Sequence, residues 1–205
     1  MSLVDALAGI DTLNLIALLG IVFIGLPHGA VDGALAAHLG WMDSKKKAAS
    51  FLTGYVAMAA LVVGLWFIAP VLSFIIFLAI SMFHFGKGDV NSPNKQFTAI
   101  ESLARGGIVI AGISQFHKLD ADYIFQVLIG SNTDLVWLFL DAAVAITIAC
   151  SGITIITKQG QERGRFLGEI LGLTLIFAIL PPLVGFSIYF CLIHSVRHFT
   201  SMKAM

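Results

Sequence analysis

The sequence predicts an all-α, polytopic transmembrane helix bundle. Of 205 residues, 58% are hydrophobic and only 12% charged, and the apolar residues gather into runs long enough to cross a bilayer. Soluble domains carry about a quarter charged residues, and a helix needs about 20 mostly apolar residues to span the hydrocarbon. The mean hydropathy of +0.94 agrees. Twelve basic and twelve acidic side chains cancel, so there is no basic footprint for nucleic acid. Cys150 and Cys191 both sit in apolar runs and read as small buried hydrophobes, too few and too far apart for a disulfide framework or a thiolate zinc site.

The runs cover residues 13–33, 51–69, 71–88, 98–117, 134–157, 166–181 and 182–200, predicting about seven helices. The fourth is interrupted by Glu101 and Arg105, whose i,i+4 spacing suits an intrahelical ion pair. Pro70 and Pro181-Pro182 fall between neighbouring runs and mark tight reversals. Neither an internal repeat nor a low-complexity stretch divides the chain, so residues 1–205 read as one domain.

Charge placement orients the bundle, because Lys and Arg concentrate in cytoplasmic loops. Lys45-Lys46-Lys47 follow the first run, Lys87 and Lys95 the third, Lys158, Arg163 and Arg165 the fifth, and Arg197 and Lys203 the seventh. The opposite ends carry Asp5 and Asp11, then Lys118 with Asp120, Asp122 and Asp134. Seven crossings with the amino terminus outside put nearly every basic cluster on one face. The first run has acidic residues and no Lys or Arg before it, the wrong sign for a signal peptide. A multi-pass protein of the inner (plasma) membrane is expected.

Four of the six histidines fall towards that same face: His28, His84, His194 and His198. His194 and His198 are four residues apart, so one helix face offers two imidazoles to one centre. Neutral imidazole suits iron, copper, zinc or nickel. Asp32, four residues after His28, is placed to fix its tautomer, and Asp89, five after His84, to do the same less tidily. A lone intramembrane histidine reads as a packing residue; four gathered on one face, with an i,i+4 pair, favour metal. His38 and His117 lack such partners and are assigned no role. Phe83, Phe85, Phe190 and Phe199 flank the histidines and are expected to line an apolar substrate cavity.

Three motifs, in this order on a polytopic chain, resemble the Brp/Blh family of membrane β-carotene 15,15′-dioxygenases. They are Pro27-His28-Gly29-Ala30-Val31-Asp32, Phe83-His84-Phe85-Gly86 and His194-Ser195-Val196-Arg197-His198. The resemblance spans about residues 20 to 200. It implies cleavage of the central double bond of β-carotene with O₂ to give two molecules of retinal, with Fe²⁺ held by His28, His84, His194 and His198. The chain ends seven residues after His198, earlier than family members usually do, so a carboxy-terminally shortened domain is expected.

Three other classes fit the residues less well. A membrane di-iron hydroxylase or desaturase needs about eight histidines in clustered boxes, and the chain has six. A seven-helix retinal photoreceptor needs a buried lysine in a late helix, and none lies between Arg165 and Lys203. A haem-binding electron carrier accounts for two histidines and leaves the other two without a role.

Overall fold

The computed structural model describes residues 11–90, 97–130 and 132–203, apart from the side chains of 25–32, 34, 199 and 201–203. Among the described residues every regular element is helical. Helix α1 is Thr12–His38, α2 Lys45–Ile68 and α3 Pro70–Asp89. The fourth run is one rod in three parts: α4 (Thr98–Gly107), a π-helical turn (Ile108–Gly112) and α5 (Ile113–Phe116). Then come α6 (Lys118–Ile129), α7 (Asp134–Thr157) and α8 (Gly160–Ile179). The last rod is α9 (Pro182–Ile188), a second π-helical segment (Tyr189–His194) and α10 (Ser195–Lys203).

All seven predicted runs are therefore helical. The addition is α6, too short and too acidic to stand out as an apolar run. Local chemistry places the ends. Asp11 caps α1 by accepting from the backbone N–H of Leu13 and Asn14, and Ser44 caps α2 through Lys47. Pro70 and Pro182 open α3 and α9, where a missing N–H costs nothing. Gly130 ends α6 at φ +63°, a left-handed conformation that favours glycine.

Three described helices, α2, α3 and α7, are long and apolar enough to cross a membrane. The protein is thus a helical membrane protein, turned inside out relative to a soluble bundle. The apolar α2 buries none of its residues, and Phe67 and Ile68 are 84% and 82% exposed. Such surface is stable against lipid. The least apolar run lies deepest instead: Glu101, Ser102, Ala104 and Arg105 of α4 are all buried.

Small residues let α4 in. A Cβ on Gly106 would stand 1.6 Å from the Met82 carbonyl oxygen, and one on Gly86 would stand 1.8 Å from that of Ser102. Helices α3 and α4 therefore touch backbone to backbone, which only glycine at both positions permits. Gly107 likewise receives Thr147 of α7.

Helices α1 and α9 run side by side in the same direction. Asp11 and Asn14 share a groove with Pro181-Pro182-Leu183, and one turn past Ile16 the α-carbon of Gly20 faces Ser187 and Cys191. This register carries both chains towards the end where α3 finishes.

Candidate metal centre

At that end three described histidines line one open groove of about 720 Å³. His84 and Gly88 come from α3, His194 from the second π segment and His198 from α10; Ala79, Ile80, Phe83 and Lys87 complete the wall. His28 and Asp32 lie on α1, and their side chains fall outside the described residues.

His194 is the fixed member of the set, 1% exposed. Its Nδ1 lies 3.3 Å from Asp89 Oδ1, and the Tyr189 hydroxyl donates to Asp89 Oδ2 at 2.8 Å. Residues five apart on an α-helix point about 140° from each other. The i→i+5 turn over Tyr189–His194 relieves that angle and lets both side chains meet one carboxylate. Asp89 thus meets His194 from α3; His84, the partner expected from sequence, stands five residues before it on that regular helix. Gly88, four beyond His84, faces the groove instead, and its α-carbon gives His194 room; a Cβ there would stand 2.7 Å from His194 Cε1.

The flanking aromatics divide in the same way. Phe83 lines the groove. Phe85, about 200° further round α3, packs behind the site with its ring centroid 4.9 Å from that of His194. Phe190 stacks on Phe186 at 5.8 Å and joins Phe85 there. These two set the position of His194 from the rear; the side chain of Phe199 falls outside the described residues.

The donor set fits a transition metal in kind. Two imidazoles on one ion at ~2.1 Å hold their ring centroids roughly 4.5–5.5 Å apart. His84 and His194 stand at 5.6 Å, and His194 and His198 at 6.5 Å. The first pair is near that range and the second is wider by about the reach of a ring rotation. Among the described residues no three His, Cys, Asp or Glu side chains stand close enough together to hold a metal ion.

A second feature extends beyond what spacing along the chain can show. Glu101 and Arg105 form the intrahelical pair that their spacing suggests, at 2.9 Å, but they belong to a longer chain of ions. Lys158 reaches Glu101 at 3.0 Å; Arg105 donates to Glu169; Arg197 donates to Glu169 at 2.9 Å and stands 3.7 Å from Asp89. Six alternating charges thus run from the α7–α8 connection through α4, α8 and α10 to α3. Only the Glu101–Arg105 link is legible in sequence, because the others join residues far apart along the chain.

His117 is accounted for structurally: its Nε2 lies 2.9 Å from the Phe177 carbonyl oxygen, tying the α5–α6 elbow to α8. His38 is exposed on α1.

Fold and site together define a helical membrane protein with histidines gathered on an apolar groove. The sequence model described as "Beta-carotene 15,15'-dioxygenase" matches residues 19–205, and the chain belongs to that family. It is 32% identical over 198 residues to the beta-carotene 15,15'-dioxygenase of an uncultured marine bacterium, covering 94% of this chain and 70% of that protein. It is 27% identical over 201 residues to a probable beta-carotene 15,15'-dioxygenase of Halobacterium salinarum, covering 86% of this chain and 58% of that protein. No solved structure matches the chain.

Proposed function

We propose that the chain cleaves the central 15,15′ double bond of β-carotene with O₂, giving two molecules of retinal, at an Fe²⁺ held by His28, His84, His194 and His198. Its family membership makes it a carotenoid dioxygenase; the metal, its ligands and the course of the reaction are our reading. The observation that carries this reading is the shared groove: His84, His194 and His198 stand at the polar end of a wall whose other end is Ala79, Ile80 and Phe83.

When bound, iron supplies the activation of O₂. The residues of the chain do the rest. β-Carotene has no polar handle, so recognition must come from shape. Burial is worth about 25 cal/mol per Å², but a carotenoid already enjoys most of that in lipid. The groove therefore selects by where it stops the polyene, setting which double bond lies beside the histidines. Ile80 and Phe83 are exposed at its rim, where a substrate dissolved in the bilayer meets them first. With Asp89 accepting from the His194 Nδ1–H, Nε2 is the nitrogen that would be left to hold the metal. The double bond breaks and each of its carbons takes one oxygen atom, so two retinals account for every atom of substrate and O₂. The parallel register of α1 and α9 brings α1 towards the same end, consistent with His28 as the fourth ligand. The plasma membrane, where both substrate and O₂ are available, is the proposed location.

The test is expression in cells that accumulate β-carotene, followed by extraction and chromatography of the pigments. Retinal should appear as β-carotene falls, and His28→Ala, His84→Ala, His194→Ala and His198→Ala should each abolish it. His38→Ala, on the exposed face of α1, should match the parent. Undiminished β-carotene beside well-expressed, iron-supplied protein would refute the proposal.

A further inference from the structure

We propose that Arg197 is a positioning residue for the histidine site, acting with Glu169 to fix the carboxylate that orients His194. The inference rests on the metal assignment proposed above, and goes beyond it in naming residues that touch neither metal nor substrate.

Arg197 lies three residues after His194 and one before His198, so whatever holds Arg197 holds the turn that carries both. Its two terminal nitrogens take different partners: one donates to Glu169 Oε1 at 2.9 Å, the other stands 3.7 Å from Asp89 Oδ2. The planar guanidinium can address two carboxylates at once, whereas an ammonium is a single point charge. Asp89 is 5% exposed, and Arg197 is the one Lys or Arg within ion-pair distance of it among the described residues. A buried carboxylate without a cation is costly and does not hold its place.

Glu169 is itself anchored. Its other oxygen accepts from Arg105, which is tied to the buried Glu101, and Glu101 to Lys158. The chain of ions therefore connects the rigid centre of the bundle, α4, to the imidazole at its end. Arg197 does not line the apolar groove; it lines a separate polar cavity of about 190 Å³ with Asp89, Arg105, Glu169 and Thr200. Its loss should thus disturb the histidines and leave carotenoid binding alone.

The experiment uses the full chain purified in detergent, with Co²⁺ as the probe and its visible ligand-field bands as the readout. Arg197→Ala and Glu169→Gln should each weaken cobalt binding about 10–100-fold, the usual cost of losing an outer-shell partner. The double variant should be no weaker than the worse single, because the two residues act as one unit. Arg197→Lys, which can keep one carboxylate but not both, should fall between parent and Arg197→Ala, and carries the test if Arg197→Ala does not fold. In the cleavage assay kcat should drop while KM for β-carotene stays at the parent value. Folded variants that bind cobalt as the parent does would overturn the positioning role and leave the metal site standing. A parent that binds no cobalt would overturn the metal site and this inference with it.

Discussion

Asp89 on α3 and His194 on the last rod, 105 residues apart in sequence, face each other at 3.3 Å inside the bundle. Neither position alone marks the pair. It exists because the end of α3, the π-helical turn and the ion chain from α4 bring a carboxylate and an imidazole to one buried point. Asp89→Asn keeps the size and removes the charge that favours an Nδ1–H donor. Iron content of the purified protein should fall about 10–100-fold in affinity terms, with helical content unchanged. Parent-like iron content would show that Asp89 does not govern the ligand.

Gly88→Ala tests the approach of His194 to α3. The added Cβ meets His194 Cε1 at 2.7 Å, so the ring must move. Displacement by a fraction of an ångström to an ångström at a reacting centre costs on the order of 10–100-fold in rate. Retinal formation should drop by that factor, while Gly54→Ala on the exposed α2, with open space around it, should be silent. Equal activity in the two would contradict the described packing.

The buried Glu101 binds two cations, Arg105 at 2.9 Å and Lys158 at 3.0 Å, with 2% of its side chain exposed. Glu101→Ala removes the buried carboxylate that the two cations share, leaving Arg105 to Glu169 and Lys158 to the exposed Glu162, and breaking such a buried set costs up to about 3–5 kcal/mol. Thermal unfolding of the purified protein in detergent should show it. Glu162→Ala, whose side chain is 54% exposed and 3.8 Å from Lys158, should change the midpoint little.

At the opposite end of the bundle Asp122 accepts from the Thr133 hydroxyl at 2.5 Å and the Trp137 indole N–H at 2.7 Å. These hydrogen bonds, that from Thr133 foremost, hold its carboxyl below the ordinary carboxylate value. Because the folded value is depressed, the associated stability is present above the unfolded value of about 4 and is lost as pH falls through the folded one. Trp137 fluorescence followed below about pH 4 should report that loss. Asp122→Asn should flatten the acid limb; an unaltered profile would remove Asp122 as its source.

Much of this molecule follows from local pattern. Runs of apolar residues about a bilayer thick demand helices, because no other open backbone satisfies its hydrogen bonds in lipid. Pro70 and Pro182 mark where one helix ends and the next begins. Those features carried the helical fold, and the order of the three histidine motifs carried the family. Helical angles were also legible in principle: residue spacing alone separates Phe83 from Phe85, and His84 from Asp89.

Tertiary structure decided the rest. The polar run at Thr98–Gly107 reads as the poorest crossing, yet it is the core, because its Glu and Arg, already paired with each other, find further partners in Lys158 and Glu169, and Gly86 and Gly106 allow the backbones to meet. No periodicity announces a π-helical turn at Tyr189–His194, and without it Tyr189 and His194 would not share Asp89. Sequence determines what each segment buries or exposes on its own; which carboxylate meets which imidazole depends on how close two separate helices can come, and that is set by packing.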